Sequence, residues 1–278
     1  MKKGNKIIQS LDRGLFLLDT IAESHEDMSL KELKDRLDID KSSIFRLLAT
    51  LVNKGYVEQD SLTRRYKLGL KILALSNSLY SRLRMSEQTR PYLKELASET
   101  GETSHLALCS NYESVLIDQE IGSELVSVNT QLGRREPLHA TALGKVLLAS
   151  FSKEEFETFI SSNGIATYTP NTKTDKAALK KEIEKVRKAG FAIDDEEYKN
   201  GIRCIASPVH DSKGLTIAAI GISGPKERIP KSRIGELAKI VRMTAEKVSA
   251  KLGFNKGLVV GQASRLSGNG RIGTVPLK

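Results

Sequence analysis

The 278-residue sequence predicts an α+β protein: an N-terminal winged helix-turn-helix, a connecting helix and a larger mixed domain. Three observations lead to this class. Two short amphipathic helices between Ser29 and Asn53 are followed at once by a basic hairpin. Beyond Thr103 the texture changes to strands interleaved with helices. A chain of this length, 39% hydrophobic and 28% charged, fits two globular domains each able to bury a core.

Ser10 is placed to cap a first helix in which Leu11, Leu15, Leu18 and Ile21 repeat at helical spacing. Ser29 with Glu32 forms a capping box, the hydroxyl taking one orphan N–H and the carboxylate another, and opens a helix through Leu30, Leu33 and Leu37. Asp38-Ile39-Asp40 breaks it, and Asp40 caps a second helix whose Ile44, Leu47, Leu48 and Leu51 form one apolar stripe. The opposite face carries Lys41, Ser42, Ser43, Arg46 and Thr50, small or cationic groups suited to a major groove. Gly55 ends this helix. Tyr56-Val57-Glu58 and Arg65-Tyr66-Lys67-Leu68 alternate as strands around a polar turn with Arg64, so Arg64 and Arg65 belong to the expected wing. Helix pairs of this kind also occur in proteins that never touch nucleic acid, and the basic hairpin is what favours double-stranded DNA as the partner. The net charge of +10 helps attract phosphates but decides nothing alone.

Leu70–Leu83 is expected to be a connector helix with Ile72, Leu75, Leu79 and Leu83 along one side, a stripe that suggests pairing with a second copy of the chain. Met85-Ser86-Glu87 reads as a joint, and Pro91 as an early residue of the next helix, where a missing N–H is tolerated. Strands are expected at Ser104–Cys109, Ser114–Gln119 and Leu125–Thr130, then a short helix at Ala142–Ala149 and a second capping box at Ser152 and Glu155. A charged helix Lys176–Lys188 ends at Gly190. Strands follow at Phe191–Asp194, Ile202–Val209 and Leu215–Ser223, and a long helix Ser232–Leu252 closes the domain. The expected division is a winged helix over residues 1–68, a linker helix over 69–84, the larger domain over 85–254 and a flexible tail over 255–278. The tail mixes glycines with polar residues, shows no periodicity and, from Gly257 on, holds no acid.

Two cysteines, Cys109 and Cys204, argue against a disulfide framework. No apolar run of signal-peptide length follows Met1-Lys2-Lys3-Gly4-Asn5-Lys6, and no stretch approaches the roughly 18 apolar residues of a membrane span. A cytoplasmic location without membrane contact is therefore expected.

The sequence resembles the IclR family of bacterial transcriptional regulators over about residues 8–254. Gln9-Ser10-Leu11-Asp12-Arg13-Gly14 is similar to that family's first helix start, Lys41–Leu48 to its recognition helix, and Gly55-Tyr56-Val57 with Tyr66-Lys67-Leu68-Gly69 to its wing. In the second domain Pro137–Lys145, Gly190-Phe191-Ala192 leading to Asp194–Glu197, Gly201–Ala206 and Ile222-Ser223-Gly224-Pro225 occur in the family's order. The resemblance implies a GAF-like effector-binding domain, assembly as a dimer or tetramer, and effector contacts at Ala142, Leu143, Asp194, Ile202, Cys204 and Ser223. Gly221 stands where some members carry a second serine, which implies one polar contact fewer and a roomier pocket.

The residues themselves fit a small anion. The loop entering a helix at Thr141–Gly144 offers unpaired N–H groups, and Asp194 and Ser223 can exchange hydrogen bonds with hydroxyl or keto groups. Each has a plainer reading: Cys204 as a small buried apolar residue, His139 as an organiser of a turn, Asp194–Glu197 as a solvated acidic loop, Arg134 and Arg135 as surface. A zinc site from Cys109, Cys204, His105, His139 and His210 lacks paired ligand spacing, so neither metal nor cofactor is expected. The functional reading is a regulator that senses a small carboxylic acid, a keto or sugar acid by similarity to regulators of sugar-acid breakdown. An enzyme carrying a DNA-binding attachment would need a nucleophile–base pair, a metal cluster or a phosphate loop, none of which is evident. A purely architectural DNA protein leaves the second domain's signatures without a use.

Overall fold

The structure is a computed structural model that describes residues 7–24, 26–37, 39–82 and 84–255. The expectations on Met1–Lys6, Asp38, Leu83 and most of the tail fall outside these residues. The chain divides into two compact units at residues 83 and 84.

In the first unit, helices α1 (Gln9–Glu23), α2 (Leu30–Arg36) and α3 (Lys41–Asn53) precede a hairpin of β1 (Val57–Gln59) and β2 (Tyr66–Leu68), then α4 (Lys71–Arg82). The capping box of Ser29 and Glu32 is present, and Asp40 caps α3 by accepting from the Ser43 amide at 2.9 Å. Ile44 and Leu48 of α3 are fully buried against Leu17, Leu33 and Val57. Two expectations on α1 are corrected. Ser10 lies inside the helix, and Ile8 occupies the cap with no side-chain bond. The buried positions are Leu17 and Ile21, while Leu11 and Leu15 are exposed. The apolar face of this helix is broad, running from Leu17 and Ile21 round to Leu11 and Leu15, and packing buries only the edge that carries Leu17 and Ile21. The hairpin is joined by Met28, which exchanges both backbone hydrogen bonds with Tyr66, at 2.9 and 2.7 Å. The wing is thereby tied to the segment before α2.

The second unit is a six-stranded antiparallel sheet with helices on both faces. Its strands are β3 (Thr103–Ser110), β4 (Glu113–Glu120), β5 (Arg135–Pro137), β6 (Ala192–Asp195), β7 (Ile202–His210) and β8 (Thr216–Pro225), in spatial order β5-β4-β3-β8-β7-β6. Alternation along the strands sorts the core into two layers. Leu106, Ile205, Ile220 and Ile222 pack under α5 (Arg84–Thr100) and α9 (Ile234–Lys251). Small residues, Ala107, Ala192, Ala206 and Ala219, face α6 (Ala142–Leu148), α7 (Lys153–Asn163) and α8 (Lys176–Ala189). Ser152 and Glu155 form the second capping box, and Gly190 closes α8 at φ +73°.

Three expectations differ here. Met85-Ser86-Glu87 is no joint but lies within α5, and Pro91 sits inside that helix rather than early in it. Pro91 removes one ladder bond, yet residues on both sides anchor the helix: Ser86 donates to Asp118 at 2.9 Å, while Leu93 and Leu96 are fully buried. Residues 125–130 form no strand. Leu125 is completely exposed, and Thr130 bonds the Gln119 side chain rather than a backbone ladder, so the edge position falls to β5, with Glu113 opposite Pro137.

Candidate effector cavity and nucleic-acid interface

On the first unit, Lys41, Ser42, Arg46 and Thr50 lie exposed along α3, with Ser43 half-buried beside them. Several of their donors are already spent. The Ser42 hydroxyl donates to Asp40 at 2.7 Å, and the Thr50 hydroxyl to the Arg46 carbonyl at 2.9 Å. Those two hydroxyls thus present acceptor lone pairs outward; Arg46 gives one N–H to the Ser43 hydroxyl at 3.5 Å, and its other N–H groups join Lys41 and the Ser43 hydroxyl as the donors still to spare. The wing turn is built on Asp60, whose carboxylate accepts from the Leu62 and Thr63 amides at 3.0 and 2.7 Å. Arg64 follows in a left-handed backbone, φ +59°, uncommon without glycine, with its side chain exposed.

Arg65 is placed differently from Arg64. Its guanidinium grips Glu32 at 2.8 and 2.9 Å and donates to the Asp27 carbonyl at 2.7 Å. The Ser29 cap, joined by Arg65, holds the Glu32 carboxyl down at about 2. Arg65 therefore straps the wing to α2, with its Nε and Nη2 donors taken up within the protein.

In the second unit the antiparallel register puts Asp194 opposite Cys204 and Cys204 opposite Ser223, one row across β6, β7 and β8. Residues in such a row project from the same face of a sheet, and neighbouring strands lie about 4.8 Å apart. Ile202 joins from two positions before Cys204. Above this face α6 begins: the Thr141 hydroxyl accepts from the Gly144 amide at 3.0 Å and donates to the Pro137 carbonyl at 3.0 Å. Gly144 permits the approach, since a Cβ there would come within 2.6 Å of the Leu138 Cα. The amides of Ala142 and Leu143 make no hydrogen bond among the described residues. Between row and loop lies a cavity of about 90 Å³ open to the centre of a water molecule, and Ala142, Leu143, Asp194, Ile202, Cys204 and Ser223 all line it.

Burial sets the chemistry. Asp194 is 2% exposed, and desolvation pushes its carboxyl up to about 7, although the Glu197 and Tyr198 amides donate to it at 2.7 and 3.3 Å. Near neutrality it can therefore offer a proton as well as accept one. Burial also pushes the Cys204 thiol well above its ordinary range, so it stays protonated and unlike an activated nucleophile. Behind Asp194, Lys145 of α6 is fully buried, pairs with Glu197 and donates to the Ile193 carbonyl at 2.9 Å; Lys173 reaches the same Glu197 oxygen at 2.7 Å. This cluster ties α6 to the loop after β6. Burial lowers the Lys145 ammonium, and Glu197 draws it back up.

Sequence reasoning missed part of the lining. Arg134, which can grip a carboxylate but reads in sequence more readily as surface, reaches the cavity beside Tyr198, with its guanidinium 3.5 Å from the Tyr198 hydroxyl and 3.6 Å from Glu136. Burial raises the Glu136 carboxyl. His105, weighed only as a zinc ligand, lines the cavity from β3. No sequence signal marks these positions, because strand pairing and a returning loop bring them in. The expectation at Gly221 is corrected: a Cβ there would lie 2.4 Å from the Ile205 carbonyl oxygen. Close approach of β7 and β8 requires the glycine, so the backbone fills the space a serine would need rather than leaving a roomier pocket. His139 makes its bond outside its own turn: its Nε2 lies 2.8 Å from the Ala166 carbonyl, tying the segment before α6 to the one after α7. Among the described residues no three His, Cys, Asp or Glu side chains are grouped to hold a metal ion, and no helix is long and apolar enough to cross a membrane.

This architecture and cavity have counterparts. Residues 10–61 match the IclR helix-turn-helix domain, and residues 78–250 match the bacterial transcriptional regulator IclR C-terminal domain. The HTH-type transcriptional repressor AllR of Escherichia coli (strain UTI89 / UPEC) is 34% identical over 250 residues, covering 90% of this chain and 92% of the relative. The crystal structure of the Thermotoga maritima IclR superposes with a TM-score of 0.73 at 30% identity, over 89% of this chain and all of that one. The C-terminal domain of the E. coli transcriptional regulator KdgR matches 61% of this chain and 99% of its own length, at 33% identity and a TM-score of 0.55. A DNA-binding helix-turn-helix and a ligand-responsive α/β domain in one chain, each matched along its length, place this protein in the IclR family of bacterial transcriptional repressors.

Proposed function

We propose that this repressor senses a small carboxylic acid, a keto or sugar acid, in the cavity beside Asp194, Cys204 and Ser223, and that the acid alters operator binding. The observation that carries the reading is the meeting of two unpaired amides, Ala142 and Leu143, with that polar row around one small cavity. The amides suit a carboxylate, Arg134 adds positive charge at the lining, and a protonated Asp194 can donate to the acid's oxygens. A catalytic reading is disfavoured by a Cys204 thiol that burial keeps protonated.

The protein acts in the cytoplasm on double-stranded DNA as a dimer or tetramer, since one recognition helix reads too few bases. Its operator is near-palindromic, with half-sites about one turn, roughly 10 bp, apart or a multiple of this. Lys41, Ser42, Ser43, Arg46 and Thr50 meet the major groove, and Arg64 the backbone beside it. Exposed Leu70, Leu73 and Leu75 around α4 favour self-association.

A thermal-shift screen of small carboxylic acids on the full-length protein, followed by operator-binding assays with each hit, tests the reading. A ligand at 100 times its Kd adds about 2.7 kcal/mol of apparent stability. Ser223→Ala should abolish the response to that ligand while leaving ligand-free DNA binding intact. Loss of ligand-free DNA binding in a folded Ser223→Ala protein, or a ligand affinity indifferent to operator DNA, would count against acid sensing, because coupling between sites is reciprocal.

A further inference from the structure

His105 stands opposite Gly221 on one side and Gln119 on the other. Its ring therefore shares the sheet face of Thr103, two positions earlier, whose cross-strand partner is Ser223. It is 3% exposed, lines the cavity, and its Nε2 has no hydrogen-bond partner among the described residues. His139 and His210 both have polar neighbours, the Ala166 carbonyl and the Thr216 hydroxyl. Native proteins seldom leave a buried polar atom unpaired without a use for it.

Neither cross-strand neighbour can satisfy this ring. Gly221 has no side chain, and the Ile205 carbonyl leaves no room for one. The Gln119 amide is engaged elsewhere: it donates to Asn129 at 2.9 Å and accepts from the Thr130 amide at 3.3 Å. Asn129 and Thr130 line the same cavity, so Gln119 holds their loop instead of the ring. Burial pushes the imidazole down to about 4, which makes it neutral at physiological pH, with one donor and one acceptor nitrogen.

We propose that His105 is a specificity subsite of the effector cavity: its Nε2 pairs with a hydroxyl or carbonyl oxygen that the acid carries besides its carboxylate. The inference rests on the acid-sensing reading above and adds a selectivity to it. The cavity takes oxygen-bearing acids in preference to plain alkanoic acids of the same length. A site built to hydrogen-bond an oxygen rejects the analogue lacking it, because the protein's own buried group is then left unpaired. A hydroxyl serves as probe for either tautomer, since it both donates and accepts.

The test uses matched probes: glycolate with acetate, 3-hydroxypropionate with propionate, and 4-hydroxybutyrate with butyrate. Each is titrated calorimetrically into the full-length wild type, His105→Leu and His105→Gln. At least one hydroxy acid should bind the wild type ten or more times tighter than its partner. His105→Leu should bring that ratio close to one by weakening the hydroxy acid alone, and His105→Gln should restore part of it. Without ligand, His105→Leu should melt no lower than the wild type, because it removes an unpaired buried polar group. An unchanged ratio in His105→Leu, or a wild type indifferent to the hydroxyl, overturns the subsite while leaving acid sensing in place. A marked fall in the melting temperature of His105→Leu would reveal a structural partner for the ring and overturn it as well. If no acid of any pair binds the wild type, acid sensing fails, and the subsite with it.

Discussion

Replacing Asp194 with Asn examines the most perturbed acid of the cavity. Burial lifts its carboxyl from 3.8 to about 7, while Lys145 and Glu197 facing it pull in opposite directions. A shift of about three units at 1.36 kcal/mol each is worth about 4 kcal/mol, an upper figure. The sign follows from linkage. A folded-state value above the unfolded one favours the protonated form, so stability from this group is complete below about pH 4 and is lost as pH rises towards 7. Above pH 7 the folded protein carries the whole penalty of a buried charge. Asn carries none, and its Oδ1 can keep accepting from the Glu197 and Tyr198 amides. The stability of Asp194→Asn relative to the wild type should therefore climb between pH 4 and pH 7 by up to about 4 kcal/mol, then level off. Paired urea unfolding curves at each pH, analysed for the transition of the second unit, give the difference directly. Taking the difference cancels other titrating groups, such as Glu32, whose lowered value acts in the opposite sense. The same proton should appear in binding: the affinity of the wild type for a carboxylate should fall about tenfold per pH unit above 7, since the acid needs a protonated Asp194 beside it. A stability difference that stays flat from pH 4 to pH 8 would refute the argument.

Other substitutions separate roles that look alike in sequence. Arg46→Ala should cost about 1–3 kcal/mol of specific binding and relax preference at one base, read by competition between operator variants. Arg64→Ala should weaken binding to all sequences and reduce the slope of log K against log salt by about one, whereas Arg65→Ala should leave that slope unchanged and instead speed amide exchange at Met28 and Tyr66, where the wing is tied down. Lys145→Met should destabilise the second unit by about 3–5 kcal/mol, towards the lower end because Lys173 still reaches Glu197, and Lys145→Met with Glu197→Gln should recover much of the loss in a denaturation series.

Except for the Ser10 cap, local signals are legible where one short segment carries the whole cause. Both capping boxes, the Asp40 cap, the αL glycine after α8 and the apolar stripe of α3 need only neighbours within a turn, and they stand where the sequence places them. Signals that depend on a distant partner were misread. The apolar residues of 125–130 suit a strand, yet the edge of the sheet is taken by β5. Pro91 reads in sequence as an early helix residue, but contacts from β3 and β4 hold α5 intact around it.

The sequence by itself determined the order of elements outside the β5 edge, the two capping boxes and the Asp40 cap and, through family resemblance, six residues later found around one cavity. Only the tertiary structure decided what those residues meet. It placed Arg65 on Glu32, turned α1 so that Leu17 rather than Leu15 is buried, closed β7 on Gly221, and left the His105 Nε2 without a partner among the described residues. The physical reason is common to all four. Helix caps and periodicity arise from atoms a few bonds apart, whereas burial, desolvation and strand register depend on segments up to 120 residues away in the chain, whose positions no local pattern encodes.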